Sequence, residues 1–121
     1  DWVPHPAWKW GVPPDGENGS SAVLGWQFVA TLRQLAQLEQ WCGETELAAR
    51  ARRLAKQFGA RLTEAFWDEK REVFADDLAH QNFSQHAQAL ALLSGVLPAE
   101  RRETVAKKLA SGENLTPTAP F

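Results

Sequence analysis

The chain has a single cysteine, no methionine and no tyrosine among its 121 residues. One cysteine excludes a disulfide within the chain, so cysteine usage does not indicate a redox compartment. Cys42 lies at the end of a predicted helix. We expect it to be a small buried hydrophobic residue rather than a nucleophile.

The chain also lacks a strong charge imbalance and a long apolar run. Its formal net charge is −2 and its pI is near 5.9, which gives no electrostatic reason to expect a nucleic acid or an anionic membrane surface as partner. No run approaches the roughly 18 apolar residues of a membrane span, and no leader pattern opens the chain. We therefore expect a soluble, cytoplasmic protein that binds neither nucleic acid nor membrane, although no signal assigns its compartment.

The start of the chain is rich in tryptophan. Residues 1–19 hold three of the six tryptophans, together with four prolines and three glycines. The prolines and glycines exclude a regular helix, whereas disordered segments are poor in aromatic residues. The segment is predicted to be a long ordered loop that packs on the rest of the domain.

The next residues predict a helical hairpin over 20–67. Ser20 or Ser21 can cap a first helix that runs to about Cys42, and Gly43 ends it. Thr45 is a plausible cap for the second helix. Apolar residues of the first helix recur at helical spacing at Val23, Leu24, Phe28, Leu32, Leu35 and Leu38. Those of the second are Leu47, Ala51, Leu54, Phe58, Leu62, Ala65 and Phe66, and close packing or a bend is expected at Gly59.

A loop over 68–83 and a second hairpin over 84–111 follow. The loop is predicted to be a turn and a short extended arm, held in place by Val73 and Phe74. Helix three runs from Ser84 to Gly95. Helix four spans about 98–111 and buries Val105 and Leu109, and a tail over 112–121 closes the chain.

Helix three is apolar on nearly every side. Over residues 87–93 only Gln88 is neither alanine nor leucine, so the helix must be covered all round. Short links make consecutive helices antiparallel, in the order inner, outer, inner, outer. Both long loops and the tail should then meet at one end, the candidate functional face. Two hairpins leave helix three with open sides, so we expect part of a larger helical toroid, completed by more polypeptide or by copies of this chain.

Seven short motifs in register resemble those of the six-hairpin catalytic domain of bacterial α-L-rhamnosidases, glycoside hydrolase family 78. The motifs are Asp-Trp-Val-Pro at 1–4, Gly-Val-Pro-Pro at 11–14, Gly-Ser-Ser at 19–21, Phe-Trp-Asp at 66–68, Phe-Ala-Asp at 74–76, Phe-Ser-Gln-His-Ala at 83–87 and Leu-Thr-Pro at 115–117. The resemblance implies an all-α fold in which two antiparallel hairpins form part of an (α/α)6 toroid. It also implies that terminal α-L-rhamnose is released with inversion by two carboxyl groups about 6.5–9.5 Å apart.

The family motifs that carry the catalytic acid and base do not occur in these 121 residues. The resemblance therefore assigns no catalytic residue here, no cofactor and no metal, and the chain alone is expected to be inactive. It suggests sugar contacts for Asp1 and Trp2, where an indole can stack on a sugar face. Trp8, Trp10 and His86 are further candidates for binding a rhamnose-containing glycoside. The alternative for the tryptophans is loop anchoring, and for His86 a structural hydrogen bond.

Other polar residues favour structural roles. Asp76 and Asp77, close to His80, are predicted to be turn formers or ion-pair partners rather than an acid and base. The histidines lack metal-ligand spacing. Two alternative functions stay open, a stand-alone helical module that binds a partner protein and a different carbohydrate-active toroid enzyme.

Overall fold

The computed structural model describes residues 20–117, which form two helical hairpins and a small antiparallel sheet. The helices are α1 (Ala22–Trp41), α2 (Thr45–Phe66), α3 (Gln85–Ser94) and α4 (Ala99–Ser111), and the strands are β1 (Trp67–Asp68) and β2 (Val73–Phe74). The predicted turn lies between the two strands, and β2 is the predicted extended arm, with Val73 and Phe74 both buried. The all-α prediction is confirmed for the described residues. None of their helices is long and apolar enough to cross a membrane.

Most of the predicted helix ends are confirmed. The Ser21 hydroxyl accepts a hydrogen bond from the Leu24 amide at 3.4 Å, and the Ser84 hydroxyl accepts one from the Ala87 amide at 3.2 Å. Gly95 adopts φ 62° after α3, the left-handed backbone that glycine tolerates best. The expected cap at Thr45 is wrong, because α2 already begins at that residue and Glu44 before it makes no side-chain capping bond.

The buried face of α1 is not the predicted one. Its buried residues are Ala22, Trp26, Val29, Leu32 and Ala36. They also recur at helical spacing, and of the predicted residues only Leu32 is among them. Leu24, Phe28, Leu35 and Leu38 are between 42% and 54% exposed. Helix α1 therefore carries two apolar stripes, and the one that contains alanines faces the rest of the chain.

Small residues let α2 approach its neighbours closely. Its buried positions include Ala48, Ala51, Ala55 and Gly59, whereas the larger Leu47 and Phe58 are exposed. A Cβ atom added at Gly59 would lie 2.5 Å from the Val96 side chain. The close packing expected at Gly59 is confirmed. Cys42 caps α1 and is exposed, so its predicted burial is wrong.

The core lies where the four helices and the sheet meet. Phe74 is fully buried between two indoles, with ring centroids 4.9 Å from Trp26 and 5.0 Å from Trp67, both at an edge-to-face angle of 65°. Such aromatic pairs add stability beyond their buried area. Helix α4 buries Val105, as predicted, while Leu109 is only half-buried.

Helix α3 is not covered all round. Ala87 and Ala91 are fully buried, but Leu93 on the same helix is 72% exposed. Within the described chain, the all-round burial that an apolar helix needs is therefore missing, as expected for a helix with open sides.

Candidate functional site

The N-terminal ends of α1 and α3 meet on one short segment, residues 73–77, which we call the strap. The Asp76 carbonyl accepts a hydrogen bond from the Ala22 amide at 3.1 Å. The Asp76 carboxylate accepts one from the Ser84 hydroxyl at 2.8 Å. One strap residue thus joins the starts of both helices. The loop over 68–83 therefore lies at the end of the fold where α1 and α3 begin and α2 ends.

Asp76 is a buried, hydrogen-bonded carboxylate. It is 4% exposed, and its Oδ1 atom accepts bonds from both the Ser84 amide and the Ser84 hydroxyl. Burial raises the pKa of Asp76, while the bonds from Ser84 act in the opposite direction. The nearby Asp77 also raises that pKa and His86 lowers it. These contacts fit the predicted structural role.

The side chain of Gln88 fastens the strap to α3. This residue is fully buried, and its Oε1 atom accepts a bond from the Phe74 amide at 2.8 Å. Its Nε2 atom donates to the carbonyl of Phe74 at 2.7 Å and to that of Ser84 at 3.0 Å. The amide group therefore pairs with β2 as a neighbouring strand would, which satisfies backbone groups that burial would otherwise leave unpaired.

The tail returns to the same end of the fold. The Thr116 amide donates to the Phe83 carbonyl at 2.8 Å, and the Gln85 amide donates to the Thr116 carbonyl at 2.9 Å. Leu115 is buried in a small cluster with Val73, Ala75 and Phe83. The predicted return of the tail is confirmed as far as residue 117.

The loop after the strap is held by polar side chains. The Asp77 carboxylate accepts bonds from the Gln81 amide, at 2.8 Å, and from the Asn82 side chain. The ring of His80 contacts the Asp68 carboxylate rather than those of Asp76 and Asp77, with 3.3 Å between Nδ1 and Oδ2. The bond from the Arg71 amide lowers the pKa of Asp68, burial acts in the opposite direction, and His80 lowers it further.

The comparison with protein families decides which family this fold and face belong to. Residues 1–116 match the family model of the bacterial alpha-L-rhamnosidase 6 hairpin glycosidase domain. The chain belongs to that family. No curated protein and no solved structure matched it.

Of the five predicted sugar-contact residues of this rhamnosidase-family chain, the structure describes only His86. It lies in the first turn of α3, exposed, close enough to Asp76 to affect the pKa of that carboxyl. Asp1, Trp2, Trp8 and Trp10 lie outside the described residues. The sugar contacts of all five remain predictions.

No metal centre is formed by the described residues. Nowhere in 20–117 do three or more histidine, cysteine, aspartate or glutamate residues come together as a cation site would require. The acidic groups at the strap are instead used by backbone and side-chain donors.

Sequence reasoning missed Gln88, the residue that fixes the strap. The signal was present, since it is the one polar residue in the run over 87–93. A lone amide in an apolar helix must find partners when it is buried. The partner, Phe74, is 14 residues away along the chain, so the pattern alone did not identify it.

Proposed function

We propose that this chain forms two of the six hairpins in an inverting α-L-rhamnosidase that releases terminal rhamnose. It contributes to the sugar-binding face and holds neither the catalytic acid nor the base. The observation that carries the proposal is the family match over residues 1–116. The described residues contain two helical hairpins, whereas the family is named for six.

The bonding of the strap carboxylates supports a structural role for them rather than a role as the catalytic pair. Inverting glycosidases need one carboxyl to protonate the leaving oxygen and another, on the opposite side of the sugar, to activate water. Asp76 holds the start of α3, and Asp77 holds its own loop. Groups engaged in this way serve positioning, and we expect the acid and base to be other carboxyl groups of the parent protein.

His86 is the described residue best placed to contact sugar. It is exposed at the start of α3, beside the strap, and an imidazole can donate to or accept from a sugar hydroxyl. Trp2 would supply a stacking surface and Asp1 a hydroxyl acceptor on the same face.

The exposed apolar surface supports a larger assembly of helices. Large apolar side chains exposed on α1, α2 and α3 include Leu35, Leu38, Phe58 and Leu93. Surfaces of this kind usually mark an interface. The remainder of the toroid would cover them, and in its absence self-association would.

The decisive test is an assay of the full-length parent protein on a panel of p-nitrophenyl glycosides. We expect hydrolysis of the α-L-rhamnoside above all others, and proton NMR of the first-formed sugar should show the inverted anomer. The 121-residue chain alone should give no turnover. Preference for another glycoside, or a retained anomer, would contradict the proposal.

A substitution in the same parent protein tests the sugar-binding face. Trp2→Ala should raise KM on the aryl rhamnoside more than about twofold, because a stacking surface for the sugar is lost. Arg102→Gln, on the exposed side of α4, is the control and should leave KM unchanged. A smaller change in Trp2→Ala would leave the tryptophan as a loop anchor.

A further inference from the structure

Helix α2 is basic, although the chain as a whole is not. Its 22 residues hold five basic and two acidic side chains, whereas the whole chain has a formal net charge of −2. The basic side chains are all exposed and are those of Arg50, Arg52, Arg53, Lys56 and Arg61, which we call the basic stripe. The stripe extends over roughly 16 Å of helix, because each residue adds about 1.5 Å.

The packing of α2 leaves the basic stripe on its outward side. Ala51 and Ala55 are buried against the rest of the chain. At about 3.6 residues per turn, Arg53 lies on the opposite side of the helix, with Arg50 and Lys56 to either side of it. Helix α2 is an outer helix of the proposed toroid, so this side faces away from the ring.

The basic stripe has no acidic partner among the described residues. The ion pairs of residues 20–117 join His80 to Asp68, Lys107 to Glu103 and Lys108 to Glu72. Within α2, Glu46 stands four residues before Arg50, a spacing at which helical ion pairs form, but the two side chains do not pair. Arg52 donates a hydrogen bond to the neutral side chain of Gln40 at 3.2 Å. No carboxylate of the described chain therefore balances these charges.

Helix α4 shows the contrasting case, in which basic side chains have partners within the chain. The Lys107 Nζ atom lies 2.7 Å from a carboxylate oxygen of Glu103, and Lys108 pairs with the turn between the strands. The Arg101 guanidinium lies 4.4 Å from the centre of the Trp67 ring. Three of the four basic side chains of α4 are thus engaged. The difference singles out α2 as the helix whose charges are available to an outside partner.

The chemistry of the stripe suits a ligand with several carboxylates. Four of its five side chains are arginines, whose paired N–H donors match the two oxygens of a carboxylate. One such contact at an exposed site is weak, because solvent screens it and both side chains lose freedom. A polymer that carries a carboxylate on successive units engages several arginines at once, and each contact after the first is intramolecular.

An acidic polysaccharide fits the stripe better than a nucleic acid. The net charge of −2 provides no general positive field of the kind that nucleic-acid-binding proteins use. The chain belongs instead to a glycosidase family, whose substrates contain sugars. We propose that the basic stripe of α2 is a second glycan-binding site, which holds the carboxylates of an acidic polysaccharide. The choice of a glycan rests on the proposed function.

The test is a titration of the nitrogen-15-labelled 121-residue chain with an oligogalacturonate, followed by NMR. We expect the largest shifts at the amides of residues 50–61. The dissociation constant should rise severalfold between about 50 and 200 mM salt, because exposed charges are screened. A neutral maltooligosaccharide should cause no shifts. Absence of binding to the oligogalacturonate, or equally tight binding of a single-stranded oligonucleotide, would overturn the proposal.

Two triple variants separate the stripe from general charge. The stripe variant combines Arg50→Gln, Arg53→Gln and Lys56→Gln, and it should weaken binding by about tenfold or more, since three charge contacts are lost. The matched control removes as many exposed charges elsewhere, by Lys70→Gln, Arg102→Gln and Lys107→Gln, and should weaken binding by less than about twofold. Equal weakening in both would overturn the proposal. The titration requires no turnover, so its outcome is separate from that of the rhamnoside assay.

Discussion

Helix α1 exposes an apolar stripe, Leu24, Phe28, Leu35 and Leu38, which we call the outer stripe. The strap and the outer stripe differ in whether their side chains find partners within the chain. At the strap, buried polar groups of Phe74, Asp76 and Gln88 all find hydrogen-bond partners within the chain. On the outer stripe, Leu35 and Leu38 are 42% and 54% exposed. These groups of the first region are paired within the chain, and the second region presents apolar surface to its surroundings.

The difference separates what the two hairpins do for themselves from what they offer to neighbours. A buried hydrogen-bond network holds one loop and two helix ends in a single geometry, because breaking any member leaves a buried group unpaired. An exposed apolar stripe contributes little to the stability of its own chain. The strap is thus fixed by contacts within the chain, whereas in the proposed toroid other hairpins would cover the outer stripe.

Gln88→Leu should have the largest effect on stability. The leucine fills a similar volume but leaves the Phe74 amide and carbonyl unpaired in the core. We expect a loss of about 3 kcal/mol in the free energy of unfolding, measured by urea denaturation. Gln57→Leu, on the exposed side of α2, is the control and should change it by no more than about 0.5 kcal/mol. An equal loss of stability in both variants would mean that the bonds of Gln88 to the strap do not stabilise the chain.

Gly59→Ala should be the next most destabilising change. The added methyl group would lie 2.5 Å from the Val96 side chain. We expect overpacking to cost about 2 kcal/mol, although alanine favours a helix by about 1 kcal/mol over glycine. Adding Val96→Ala should relieve the clash, so the double variant would lose less than the sum of the two single changes in thermal unfolding. Strict additivity would show that the two sites do not touch.

Asp76→Asn tests the strap through pH rather than through a large loss of stability. Asparagine keeps an acceptor oxygen for Ser84, so the hydrogen bonds, worth about 1 kcal/mol each, can persist. Because burial raises the pKa of Asp76 in the folded state, the wild-type chain should lose stability as the pH rises above the ordinary value of 3.8. Urea unfolding between about pH 4 and 7 should show that the free energy of unfolding falls with rising pH in the wild-type chain but not in Asp76→Asn.

The pH profile of Asp68 runs the other way and serves as an internal control. Its lowered pKa contributes stability that is present above 3.8 and lost as the pH falls through the folded-state value. Asp76→Asn should leave that acid limb unchanged. If Asp76→Asn changed the loss of stability at falling pH as much as the loss at rising pH, the effect would come from the change in overall charge and not from the strap.

Replacing Leu35 and Leu38 together by serine should have the smallest effect on the stability of the chain. Both side chains are already substantially exposed, so we expect a change below about 1 kcal/mol in urea unfolding. A loss as large as that of Gln88→Leu would mean that the outer stripe belongs to the core of this chain.

Local signals in the sequence predicted the helices and several of their ends. Ser84 and Gly95 act within one turn of α3, so cap chemistry alone places them. The buried stripe of α1 was not predictable in this way. Phe28 and Leu35 on the outer stripe recur at helical spacing just as the buried residues do, so periodicity cannot choose between the stripes. Packing of α1 against α2 and α3 makes that choice.

The bonding of the strap was also beyond the reach of local patterns. Gln88 and Asp76 find their partners through a loop that leaves α2 and returns to α3. The sequence shows that a buried amide needs partners, but the path of the loop determines which backbone groups it meets. Cap chemistry is local, whereas these contacts exist only once the chain has folded.

Sedimentation velocity of the 121-residue chain over a range of concentrations tests the central claim most directly. Without neighbouring hairpins, the outer stripes of two copies should cover one another. We therefore expect species heavier than the 13.5 kDa monomer as the concentration rises, and their loss when Leu35 and Leu38 are both replaced by serine. A 13.5 kDa monomer at every concentration, for both proteins, would contradict the claim that this surface is built to be covered.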